Sequence, residues 1–130
     1  MKKDIDIRKV TDIAIAVVPT DEEMWDVYLI NLKSEPIRNI LVSTKGYGTR
    51  YGSPVETNQM RYFIECAESM SAVKIEPIQT DLFDLANQYW ISFQHDNFLF
   101  DKKYVFVAGS LNKDYFTRLP ILDTLGIMIK

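Results

Sequence analysis

The sequence holds one cysteine, Cys66, and one histidine, His95, among its 130 residues. A lone cysteine closes no intramolecular disulfide, which excludes the disulfide-built secreted scaffolds. A lone histidine, with no HExxH pattern and no cysteine pair, excludes the common zinc sites. No apolar run approaches the ~20 residues that a membrane-spanning helix needs. No stretch concentrates lysine and arginine: Lys2–Lys3, Arg8–Lys9 and Lys102–Lys103 are scattered pairs in a chain of net charge −3. The electrostatic term that dominates nucleic-acid binding is therefore missing, and no nucleic-acid partner is expected. Internal repeats, low-complexity tracts and Gly/Ser linkers are absent too, so residues 1–130 read as one domain.

The start of the chain resembles a secretory leader only in Lys2 and Lys3. Asp4, Asp6 and Asp12 break the basic region, and Ile13 to Val18 is too short and strand-like for the apolar core of a signal peptide. The expectation is a cytoplasmic protein with no membrane contact, unless a leader has been removed from the chain.

What is present points to strands. Apolar residues make up 47% of the chain and charged residues 25%, with seven Tyr, seven Phe and two Trp. Many of these aromatics lie in β-branched runs, which favours strands. Val10 to Val18 is one such run, and Trp25 to Lys33 another. Ser34–Glu35–Pro36 reads as a turn leading into an alternating run at Ile40 to Lys45, and the two arms are expected to form a hairpin. Gly46–Tyr47–Gly48–Thr49–Arg50–Tyr51–Gly52–Ser53–Pro54 reads as a loop. Met60 to Cys66, Val73 to Glu76, Tyr89 to Gln94 and Phe98 to Val107 alternate like half-buried strands. Pro77 is expected to end the second of these runs, and Asp101–Lys102–Lys103 to mark a bulge in the last. Phe116 to Leu119 and Gly126 to Ile129 are weaker terminal candidates. Asp81 to Asn87 is the best helix, two turns long, with Leu82, Leu85 and Ala86 on one face.

Seven to nine short strands with one short connecting helix predict an all-β fold, a two-sheet antiparallel β-sandwich. The strand pattern loosely resembles the immunoglobulin-like sandwiches, without the Cys…Trp…Cys arrangement of antibody domains.

No group of residues converges on chemistry. His95 and Asp96 read as a polar hairpin tip. Cys66 is in phase with Met60, Tyr62 and Ile64 and reads as a small core residue rather than a nucleophile. Gly46–Tyr47–Gly48 begins like a phosphate-binding motif, but no helix follows to supply converging N–H groups. Glu22–Glu23, Glu35 and Glu76 read as solvated turn residues rather than paired catalytic carboxylates. A calcium loop at Asp96, Asn97 and Asp101 matches no EF-hand spacing. A small enzyme built around His95 or Cys66 is therefore the last-ranked reading, behind a non-catalytic domain, and no metal or cofactor is expected.

Two features suggest binding instead. Tyr47, Arg50 and Tyr51 have the composition of a binding loop, which suits a carbohydrate or small ligand. Several strands are also apolar on both faces. Tyr28, Ile30, Trp90, Val105 and Val107 do not all fit one inter-sheet core, and this surplus is the sequence's argument for a protein partner or a homodimer. Its competitor is intramolecular, with the short helix or Leu119 to Ile129 lying over the same face.

Overall fold

A computed structural model describes residues 7–130; Lys2, Lys3, Asp4 and Asp6, read above for a leader, lie outside them. The described residues form eleven strands: β1 (Ile7–Arg8), β2 (Ile13–Pro19), β3 (Met24–Asn31), β4 (Ile37–Arg50), β5 (Ser53–Glu56), β6 (Met60–Ala67), β7 (Ser71–Gln79), β8 (Ala86–His95), β9 (Phe98–Phe106), β10 (Thr117–Arg118) and β11 (Leu125–Ile129). One sheet runs β1-β9-β8-β4-β5, with β6 also paired to β4; the other runs β10-β11-β2-β3-β7. Pairing is antiparallel except between β1 and β9. The predicted two-sheet β-sandwich is thus the observed architecture.

The inner faces follow the two-residue period of strands. Ile13, Ile15 and Val17 of β2 and Trp25, Val27 and Leu29 of β3 face Ile40 and Val42 of β4, Tyr89, Ile91 and Phe93 of β8, and Tyr104 and Phe106 of β9. Trp25 is held edge-on by Phe83 and Phe116, with ring centroids 4.8 and 5.4 Å away. The Tyr104 hydroxyl donates to the Ile13 carbonyl at 2.7 Å and links the sheets through the core.

The apolar surplus on β2 and β3 has an intramolecular explanation. Ala14, Ala16 and Ile30 point away from the main core, yet all three are fully buried. They form a second cluster with Leu119, flanked by Tyr28, Leu122 and Met128. The segment from Leu119 to Leu122 is a strap across this outer face. Its first residue is anchored by a bond from the Leu119 N–H to the Thr124 carbonyl at 2.8 Å.

Five sequence expectations need correction. Trp25–Lys33 and Ile40–Lys45 are not hairpin partners: β3 and β4 belong to different sheets, and Ser34–Glu35–Pro36 carries the chain between them. Gly46–Arg50 is strand rather than loop, because β4 continues to Arg50 and pairs with β5 and β8. Only Tyr51 and Gly52 turn, with φ of 51° and 77°, the two left-handed residues of a type I′ hairpin. Asp81–Asn87 is no helix; a 3-10 turn covers Thr80–Leu82 and β8 already begins at Ala86. Pro77 does not end its strand, since β7 runs on to Gln79; an edge strand tolerates the missing N–H. No bulge interrupts Asp101–Lys103, whose pairing with β8 is continuous.

Candidate functional site

A concavity lies between the sheets where β4 changes partners. β6 covers β4 from Ile37 to Thr44, and β5 takes over from Tyr47 to Arg50. Residues 57–59 bridge the gap, and beside it opens a cleft of about 560 Å³. Its walls include Thr44 and Gly46 of β4, Tyr62 of β6, Glu76 of β7, and Asn87 and Tyr89 of β8, with Met24, Met60 and Leu82 as apolar lining.

Glu76 organises the interior of this cleft. The Tyr62 hydroxyl donates to its Oε1 at 2.6 Å, and the Tyr89 hydroxyl donates to its Oε2 at 2.8 Å. Thr44 adds a long contact of 3.5 Å to Oε1. The two tyrosine bonds to the carboxylate are short enough to be charge-assisted and strong, unlike the Thr44 contact. The Tyr62 phenol is pushed up to about 12, first by burial and then by its bond to Glu76. Tyr89, with 1% of its surface exposed, is raised well above the usual phenol range, again by burial first. Both rings therefore remain donors across the physiological range.

No Lys, Arg or His nitrogen among the described residues lies within ion-pair distance of Glu76. Lys45, which lines the cleft mouth, is paired with Glu56 at 3.2 Å. Asn87 uses its Nδ2 on the Leu82 and Leu85 carbonyls, at 3.0 and 3.1 Å. Its Oδ1 faces Gly46, where an added Cβ would stand 3.3 Å from that oxygen.

The sequence-derived candidates are not brought together. Alternation puts Tyr47 and Arg50 on opposite faces of β4. Arg50 clamps Asp84 through Nε at 2.7 Å and through Nη2 at 2.5 Å, and Nη2 also donates to the Asp81 carbonyl at 2.7 Å. This contact holds the Asp84 carboxyl below its ordinary value. Tyr51 is fully exposed at the hairpin tip. Among the self-association candidates, Tyr28 and Ile30 lie under the strap of the five-stranded sheet. Trp90 and Val105 lie on the opposite outer face, that of the six-stranded sheet, and Val107 is exposed just past β9. One continuous patch of all five is excluded by this split.

His95 does more than cap a hairpin. Its Nε2 lies 2.8 Å from the Glu35 Oε1 and 3.4 Å from the Asp96 Oδ2. The left-handed turn at Asp96 and Asn97, with φ of 51° and 65°, brings the neighbouring carboxylate back towards the ring. Nε2 is buried beside these carboxylates without a hydrogen bond to either. Cys66 is half-buried, with its Sγ 3.4 Å from the Glu68 carboxylate. Burial and that carboxylate push the thiol up, which opposes a nucleophilic role.

Sequence reasoning missed Glu76, because a single carboxylate beside Pro77 has the signature of a turn. It also missed the exposed pair Leu41 and Phe63, which sit side by side on the outer face of the six-stranded sheet. Among the described residues no helix is long and apolar enough to cross a membrane. No protein-family model matches the chain, and no curated protein matches it significantly either.

Proposed function

We propose that this protein is a non-catalytic β-sandwich that self-associates through the outer face of its six-stranded sheet. The carrying observation is the contrast between the two outer faces. The strap buries Ala14, Ala16 and Ile30 on one, whereas Leu41, Phe63 and Trp90 stay 56%, 61% and 39% exposed on the other. Leu41 is paired directly with Phe63, and Trp90 stands in the adjoining row beside Ser43. The Trp90 indole donates to Asp101, and the Lys103 ammonium sits 4.4 Å from its ring centroid. An indole held at its N–H and against its ring is a preorganised anchor of the kind found at interface centres.

The occupant we favour is a second copy of the chain. The face carries both signs around its apolar centre: Arg61 and Lys103 lie in the row of Trp90, Asp101 in the row of Leu41, and Glu65 beyond. A surface bearing both charges beside an apolar centre can complement itself across a two-fold axis, the commonest oligomeric symmetry. A stable pairing needs about 1,000 Å² or more of total buried area.

Light scattering at micromolar concentration is expected to give twice the chain mass. Phe63→Glu combined with Leu41→Glu is expected to return the monomer with an unchanged β circular-dichroism signal. A monomeric parent protein at those concentrations overturns the reading.

A further inference from the structure

We infer that the cleft around Glu76 is a binding site for a small organic cation, an ammonium group carried on an apolar body. The argument starts from unused bonding capacity. A carboxylate offers about four lone-pair positions. Glu76 spends one on Tyr62 and one on Tyr89, and the contact to Thr44 at 3.5 Å is too long to saturate a third. The partners are neutral hydroxyls, so the negative charge of Glu76 has no cation against it among the described residues. A half-buried anion in a concave site is a demand for a positive group, since screening by water is weakened there.

Shape and lining narrow the class. The cleft of about 560 Å³ falls in the range of small-molecule sites. Asn87 presents Oδ1 as a second acceptor across Gly46, and among the described residues that oxygen accepts no hydrogen bond. An ammonium, with three donors and no acceptor, matches a carboxylate and an amide oxygen. Anionic ligands are disfavoured by Glu76. The rings of Tyr62 and Tyr89 border the same space, and aromatic faces attract cations. Met24, Met60, Leu82 and Ile78 supply the surface for an aliphatic body. The absence of a side chain at Gly46 keeps the mouth open: a Cβ there would stand 3.2 Å from the Thr57 Cγ2 and 3.3 Å from the Asn87 Oδ1.

The test uses butylammonium chloride on the full chain, with 1-butanol as the neutral analogue of like shape. In nitrogen–proton correlation spectra, butylammonium is expected to give saturable shifts at Thr44, Gly46, Tyr62, Glu76 and Asn87. Butanol is expected to leave these signals in place. Glu76→Gln is expected to weaken binding about tenfold or more, the scale of one charge-assisted bond. Gly46→Ala, which keeps the carboxylate and narrows the mouth, is expected to weaken it too, and serves if Glu76→Gln does not fold. Absence of saturable shifts with butylammonium overturns the site. Equal shifts with butanol, or undiminished binding by a folded Glu76→Gln protein, overturn the assignment of the charge.

Discussion

The side-chain amide of Asn31 donates to the main-chain carbonyl of Ala67 at 3.1 Å, joining the end of β3 to the end of β6 in the opposite sheet. The same Nδ2 reaches the Glu35 and Glu68 carbonyls, each at 3.1 Å, and Oδ1 accepts from the Lys33 N–H at 2.9 Å. Asn31 is fully buried, so its removal leaves carbonyls without donors. Asn31→Ala is expected to cost about 2–3 kcal/mol. Asn31→Asp is expected to cost more, because a carboxylate has no N–H to donate to these carbonyls and its charge is buried. Urea denaturation with an unchanged m-value checks both.

Gly126 is a packing requirement of the strap. A Cβ at this position would lie 2.5 Å from the Val17 carbonyl oxygen and 2.7 Å from the Leu119 Cδ1. The first neighbour is the backbone of a paired strand and cannot step aside. Gly126→Ala is expected to destabilise by about 1–3 kcal/mol, the range for overpacking. Gly48→Ala is the contrast: its nearest neighbour is the far end of the Leu85 side chain at 3.0 Å, and a smaller loss in melting temperature is expected.

Leu119 is 2% exposed and seals the small cluster of Ala14, Ala16 and Ile30. Leu119→Ala is expected to cost about 2–4 kcal/mol, as for other buried leucines. It is also expected to uncover the outer face of β2 and β3 and so to raise binding of a hydrophobic dye such as ANS. Full stability with no added dye binding would show that the strap is ornamental.

Tyr62 and Tyr89 tie alkaline stability to the cleft. Tyr62 titrates at about 12 in the folded chain, against ~10 for an unperturbed phenol in the unfolded chain. The folded state therefore holds this proton more tightly. The linked stability is complete below ~10 and is lost as pH rises from there through about 12. Tyr89 adds a loss of the same sign. Tyr62→Phe is expected to flatten the fall of unfolding free energy across that window, beyond any uniform loss from the missing bond. An unchanged slope in urea titrations at a series of alkaline pH values contradicts the shift.

Local periodicity was enough to read the strands and the inner face of β3, because Trp25, Val27 and Leu29 alternate cleanly. It also exposed the excess at Tyr28 and Ile30, whose cover, Leu119, lies about ninety residues away in sequence. What periodicity does not carry is which strand pairs with which. Ser34–Glu35–Pro36 has the length of a hairpin turn, but here it joins two sheets. Glycines at 46 and 48 carry loop propensity, yet β8 on one side and β5 on the other hold them extended. The site is less legible still. Tyr62, Glu76 and Tyr89 sit on three strands, and nothing local to any of them announces the other two. The contact of His95 with Glu35 is hidden for the same reason.

The pairing of β11 with β2, Ile127 opposite Val17, closes a loop of roughly a hundred residues. Contacts so remote are made late, because the entropy of closing the loop must be met before the pairing rewards it. β2 and β3 can zip as a local hairpin as soon as both exist. Until the final hairpin docks, that growing sheet shows Ala14, Ala16 and Ile30 to solvent and offers the edge of β2 to any other strand. A chain in which that hairpin is undocked carries one adhesive flank. The docking of the last hairpin closes the open edge of β2 and brings the strap over the exposed alanines in a single event.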